Sequence, residues 1–394
     1  MNTKNRYMPV LMAICMVIGI LIGTFYANHF SGNRLNIINT ESNRLNNLLH
    51  IIDDQYVDTV NVNDLVEKAI PQILAELDPH SVYISAKDVQ VMNDDLKGSF
   101  SGIGIAFTIR EDTIHVQNVM SDGPAERAGI VAGDKIVAVD RKPFVGKEVT
   151  NEAAMRKLKG EKGSKVTIGV LSYGSKKVKT FTLTRDDIQT KSVTAYYMLD
   201  ETTGYIKVKN FGENTYAELL VALASLSQEN LENLVIDLRD NTGGYLQTAI
   251  QMANEFLPSK RLITYTEGRK SPRQDYKSDG RGAYQHIPLC VLINEGSASS
   301  SEIFAGAMQD NDRATIIGRR SFGKGLVQQQ ISFPDGSLIR LTIARYYTPS
   351  GRCIQKPYTM GDEKEYENDL IARYEHGEFF SQDSIKHNGP EYHT

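Results

Sequence analysis

The sequence holds no tryptophan, little cysteine and no long block of like charge. Its three cysteines, Cys15, Cys290 and Cys353, form neither a CxxC pair nor a Cys/His cluster, which argues against a zinc site. Cys15 stands in the middle of an apolar run and does not read as a lipidation cysteine. Cys290 and Cys353 fall in segments that read as buried strand, where a free thiol behaves as a small hydrophobe. A pairing between them stays open. The net charge of −4 over 394 residues, with no basic tract, argues against a nucleic-acid arm or a global pull toward anionic lipid. GxxxxGK[ST] is missing, so there is no phosphate loop. Internal repeats and low-complexity segments are also absent, and no cofactor or metal is expected.

What is present begins at the N-terminus. Lys4 and Arg6 precede a charge-free apolar run, residues 9–27. At about 1.5 Å per residue, a helix of this length spans roughly 28 Å, close to the hydrocarbon core of a bilayer. Tyr26-Ala27-Asn28-His29 is a poor cleavage site, so the run reads as an uncleaved transmembrane anchor rather than a signal peptide. Residues 1–8 would then lie in the cytoplasm and the remainder outside it. In a bacterium this means the inner membrane, single-pass, with the bulk of the chain in the periplasm or at the outer surface.

Residues 28–87 carry Leu35, Ile38, Leu45, Leu48, Leu49 and Ile52 at helical spacing. A stalk, a dimer-forming helix or a helix packed on its own domain would each show this pattern. A second amphipathic helix is expected over 62–77, interrupted by Pro71. Residues 88–185 change to short strands between glycine turns, six strands and two helices, which is a small partly open barrel. From Gly204 the rhythm is β–α–β. It predicts an α/β core with a mixed sheet over 186–357. Residues 358–394 are charged and aromatic and read as a loosely attached tail.

Three segments could carry chemistry. In Asn294-Glu-Gly-Ser-Ala-Ser-Ser-Ser-Glu-Ile an apolar strand turns into a helix, which exposes a side chain near unpaired N–H groups suited to an oxyanion. Ser297, Ser299, Ser300 and Ser301 compete for a nucleophile's role, and capping serines would look the same. Lys324 stands between Gly323 and Gly325 just before a strand. A lysine can act as a base if burial or a nearby cation keeps it neutral. Gln328, an even number of residues on, could orient the amine without adding charge. Asp237-Leu-Arg-Asp-Asn-Thr-Gly-Gly offers backbone N–H groups at Gly243 or Gly244, which could pair with that of Ser300.

Together and in this order, the three segments resemble those of the C-terminal processing (tail-specific) peptidase family, with its GSASASEI-like, FGKG and LRxNxGG turns. The resemblance implies Ser299 as nucleophile, Lys324 as base 25 residues on, and Gln328 as the residue that orients it. Ser300 stands where many members have alanine. Residues 88–185 resemble the family's PDZ domain. The turn Gly102-Ile103-Gly104-Ile105 would hold a chain-terminal carboxylate, and Gly123-Pro-Ala-Glu-Arg-Ala-Gly to Asp140 matches the PDZ core signature. The expected substrates are therefore proteins or peptides with free C-terminal tails, and a homo-oligomer is open. An inactive PDZ scaffold on a peptidase-like core is the alternative. An esterase of the α/β-hydrolase type is disfavoured, since GxSxG is lacking.

Overall fold

The computed structural model describes residues 16–18, 40–86, 88–89 and 99–381. Most of the apolar run 9–27 lies outside these residues. Among the described residues no helix is long and apolar enough to cross a membrane. The chain divides at residues 72 and 73 into two units. The first holds α1 (Thr40–Gln55) and most of α2 (Val62–Ala75), a helix that keeps Pro71 in its interior. Leu45, Leu48 and Ile51 of α1 are exposed.

The second unit begins with β1 (Val82–Ile84) and then builds the expected small module. Its elements are β2 (Ser99–Gly102), β3 (Ile105–Arg110), β4 (Thr113–Val119), α3 (Pro124–Arg127), β5 (Lys135–Val139), β6 (Lys142–Pro143), α4 (Asn151–Leu158), β7 (Lys165–Leu171), β8 (Lys179–Thr184) and β9 (Asp186–Gln189). Strands β3, β4, β5, β7 and β8 form one antiparallel sheet, with β6 on β5. Alternation places Ile114, Ile136, Ile168 and Val170 inward, where they meet Ala154 and Leu158 of α4. Strand β9 pairs with β2, apart from that sheet.

The remainder comprises β10 (Val193–Met198), β11 (Thr203–Val208), α5 (Thr215–Ser227), β12 (Asn233–Asp237), α6 (Leu246–Phe256), β13 (Leu262–Glu267), β14 (Gln274–Lys277), β15 (Leu289–Ile293), α7 (Ser300–Asp310), β16 (Thr315–Gly318), β17 (Leu326–Ser332), β18 (Leu338–Tyr347) and α8 (Glu363–Glu375). The mixed sheet runs β10-β11-β12-β15-β16, antiparallel at its first pair and parallel after it. Ile206, Val208, Leu234, Ile236 and Val291 fill its core with Leu219 and Leu223 of α5, Met252 and Phe256 of α6, and Phe304 of α7. Where the periodicity suggested one sheet, there are two. Strands β17 and β18 join a separate sheet with β1, β13 and β14, because the Asp335-Gly336 turn folds β18 back antiparallel on β17. Residues 363–375, read as part of a loose tail, form a helix that buries Tyr366 and Arg373. Among the described residues, Cys290 and Cys353 are free thiols.

Candidate active site

Two strand-to-helix turns at the carboxyl ends of β12 and β15 are stitched to one another. Asn294 Oδ1 accepts from the Asp240 N–H (2.8 Å), and Asn294 Nδ2 donates to Asp240 Oδ1 (2.8 Å). The Ala298 N–H donates to the Asn241 carbonyl (2.9 Å). Asn241 is fully buried; its Nδ2 donates to the Val208 carbonyl and its Oδ1 accepts from the Gly243 N–H, both at 2.9 Å. The Gly243 N–H is therefore already engaged. The Gly244 N–H makes no backbone hydrogen bond among the described residues. Gly243 has φ +100°, and a Cβ there would lie 2.7 Å from Ser299 Cβ. Only glycine allows the two turns to come this close.

The four serines differ in their partners. Ser297 Oγ donates to the Leu238 carbonyl (2.7 Å), Ser300 Oγ to that of Gly244 (3.0 Å) and Ser301 Oγ to that of Asn241 (2.8 Å). Among the described residues, Ser299 Oγ donates to no such carbonyl. Ser299 is the N-cap of α7 and has φ +55° and ψ −113°, outside the regions that non-glycine residues ordinarily occupy. Such backbone persists only where surrounding bonds impose it, and Glu302 supplies one of them.

Glu302, 6 % exposed, ties the serine turn to the lysine turn. Its Oε2 accepts from the N–H groups of Ser299 and Lys324, both at 2.8 Å. Its Oε1 accepts from Ser321 Oγ and the Gly323 N–H, both at 2.7 Å. Burial pushes the carboxyl up, against four hydrogen bonds that favour the charged form. Lys324 is half-buried, and its proton affinity is lowered by burial and then by the Arg340 charge, with Glu302 opposing. The Ser299 hydroxyl and the Lys324 amine are not hydrogen-bonded to each other. Lys324 precedes β17, and the β17–β18 register shifts between Val327 and Gln328, so two-residue alternation does not carry from 324 to 328. Gln328 Nε2 donates to the His80 carbonyl (3.1 Å).

In the small module the Ile103 carbonyl accepts from the Ala125 N–H (2.9 Å) and the Gly104 carbonyl from the Met120 N–H (3.0 Å). Gly104 has φ +75° and packs on Gly123. The loop from Gly102 to Ile105 thus backs onto the start of α3.

The model of peptidase family S41 matches residues 202–364, and that of the PDZ domain residues 89–171. A carboxy-terminal-processing protease of Bartonella bacilliformis is 39% identical over 319 residues, 79% of this chain and 72% of that protein. The chain belongs to peptidase family S41. A carboxyl-terminal-processing protease of Synechocystis is 35% identical, over 75% of this chain and 70% of that one. Among solved structures, a photosystem II D1 C-terminal processing protease matches at 28% identity over 82% of this chain and 92% of that one, with a TM-score of 0.46. This S41 member is a serine-type peptidase that carries a PDZ domain.

Several residues around the S41 turns escaped the reading of the sequence. Glu302 could have been found, since Ser299-Ser300-Ser301-Glu302 is a capping-box pattern. Asn241 lies within the LRDNTGG turn but received no role. His80 and Tyr366 lie far from every motif and left no signal there.

Proposed function

We propose that this peptidase recognises free C-terminal tails through its PDZ domain and cuts upstream by a Ser–Lys acyl-enzyme mechanism. Ser299 Oγ attacks the scissile carbonyl as Lys324 takes its proton. Lys324 then protonates the leaving amine, and water repeats the sequence on the acyl-enzyme. The N–H groups of Gly244 and Ser300 receive the oxyanion, since that of Gly243 is held by Asn241. Gln328 orients the amine through its side-chain oxygen. The loop Gly102-Ile103-Gly104-Ile105 takes the tail's carboxylate by strand addition.

The observation that carries this reading is the strained Ser299 turn joined to a half-buried, depressed lysine through one buried carboxylate. The hydroxyls of the three neighbouring serines are committed to carbonyls, which supports Ser299 as the nucleophile. The apolar run 9–27 behind Lys4 and Arg6 supports an anchored enzyme that works outside the cytoplasm. Ser299→Ala and Lys324→Ala are expected to abolish cleavage of a tail-bearing peptide while leaving thermal unfolding unchanged. Wild-type cutting by either variant would refute the dyad.

A further inference from the structure

The Lys324 turn is flanked by a segment from far upstream and a helix from far downstream. Asp78 ties its own turn: Oδ1 accepts from the N–H groups of His80 (3.0 Å) and Ser81 (3.1 Å) and from Thr342 Oγ1 (2.9 Å), and Oδ2 accepts from Ser81 Oγ (2.5 Å). Ser81 Oγ accepts in turn from the Thr342 N–H (3.1 Å). Thr342 is the register partner of Gln328, so the turn is anchored over that position. There the His80 carbonyl meets Gln328 Nε2. A carbonyl can only accept, so it selects the amide's NH2 end and leaves Oε1 free to accept from an amine.

The His80 ring continues the chain. Its Nε2 lies 2.8 Å from Tyr366 Oη on α8, and the two rings meet edge to face at 5.2 Å. Tyr366 Oη accepts from Gln355 Nε2 (3.2 Å), and Gln355 Oε1 accepts from the N–H of Gly325 (2.9 Å), the residue after Lys324. Hydrogen bonds therefore run from Gly325 through Gln355, Tyr366 and His80 to Gln328. Burial, with the charges of Lys324 and Lys356, holds His80 down to about 4, which places the ring in the field of the Lys324 amine.

We propose that His80 and Tyr366 are positioning residues for the base, fixing the Gln328 amide with its oxygen available to Lys324 and steadying the Lys324–Gly325 backbone. The proposal rests on the Ser299–Lys324 reading and assigns α8 a part in catalysis.

The test is a double-mutant cycle on the full chain. Tyr366→Phe keeps the ring against Phe322 (6.0 Å) and under Lys356 Nζ (4.0 Å) but removes the hydroxyl. Its kcat on a tail-bearing peptide is expected to fall about tenfold with KM unchanged, as for loss of an interaction that acts only in the transition state. Gln328→Ala should fall similarly, and the double variant should be no slower than the slower single, because both break one chain. His80→Ala, which keeps the carbonyl but loses the ring, should match Tyr366→Phe, and it replaces that variant in the cycle if Tyr366→Phe unfolds early. Wild-type kcat in Tyr366→Phe or His80→Ala, or losses that multiply with Gln328→Ala, would overturn the proposal. Ser299→Ala separates the two failures: if it still cuts, the dyad itself is wrong, whereas a dead Ser299→Ala with multiplying losses refutes only the positioning chain.

Discussion

Replacing Glu302 by glutamine sets two effects of opposite sign against each other. The carboxylate accepts four hydrogen bonds, two at each oxygen. Glutamine keeps the shape but turns one oxygen into an NH2 that can only donate. With the NH2 in place of Oε1, the Ser321 hydroxyl can turn and accept from it, and the Gly323 N–H is the donor that loses its acceptor. A buried donor left unmet costs about 1–3 kcal/mol, and the NH2 facing the Gly323 N–H adds donor–donor repulsion to it. Part of this returns, because burial already disfavours the charge on Glu302. The net loss of global stability is expected to be on the order of 1–3 kcal/mol, within the usual range for a point substitution. The strain falls on the Ser299 and Lys324 turns, which the carboxylate joins.

Electrostatics works in the other direction. Glu302 raises the proton affinity of Lys324, so its neutralisation makes the amine easier to deprotonate. Even ~1.36 kcal/mol of weaker proton binding would enlarge the neutral fraction by at most about tenfold. A misplacement of about 1 Å costs on the order of 10²-fold in rate. Positioning outweighs charge. Glu302→Gln is therefore expected to cut a tail-bearing peptide at least about tenfold more slowly at neutral pH, while the acid limb of its kcat/KM profile moves to lower pH. Steady-state rates across pH, beside a thermal melt, measure both. A variant as fast as wild type or faster, with the limb shifted, would show that Glu302 acts only through its charge.

Three further outcomes follow from the same geometry. In the wild type kcat/KM should rise with pH if Lys324 is the base proposed above, since a lysine base works as the neutral amine. The midpoint should lie below the roughly 10.4 of a free lysine, since burial and Arg340 both favour loss of the proton; a midpoint at or above that value would exclude Lys324 as the base. Gly243→Ala places a Cβ 2.7 Å from Ser299 Cβ at φ +100°, and should cost about 1–3 kcal/mol of stability and on the order of 10²-fold in kcat, read from melting and peptide cleavage. Truncation after Pro357 removes Tyr366 and the Arg373 guanidinium, which donates to the carbonyls of Arg320 (2.6 Å) and Ser321 (3.2 Å). It is expected to slow cleavage and to lower the melting temperature, where a dispensable tail would change neither.

The β–α–β rhythm of the core and the strand texture of the PDZ module were legible because burial repeats with a short period. Ile206, Leu234, Ile236 and Val291 show it in their own spacing. The turns around Ser299, Gly243 and Lys324 were legible for a second reason: close approach and left-handed backbone restrict the residue type, as at Gly243. Neither reason applies to α8. Its exposed face dominates its composition, and two buried residues, Tyr366 and Arg373, are too few to set a period. The second sheet was missed because β13, which carries β14 on its other edge, pairs with β18 across about 80 residues, with no turn chemistry to announce the pairing.

The polar frame of the site is illegible on principle rather than by oversight. A hydrogen bond from Gln328 to the His80 carbonyl constrains a side chain at one end and only a backbone position at the other. Any residue at 80 would present that carbonyl, so the contact leaves no trace in the residue type there. Glu302 fails differently. One of its bonds, to the Ser299 N–H, is the ordinary arm of a capping box and explains the residue by itself. The other three reach a turn about 20 residues downstream and become apparent only when the fold brings Ser321, Gly323 and Lys324 to the same carboxylate. A residue with a sufficient local explanation hides its longer-range one, so the capping glutamate of a strand-to-helix serine turn is where a reader of sequences should look for a second partner.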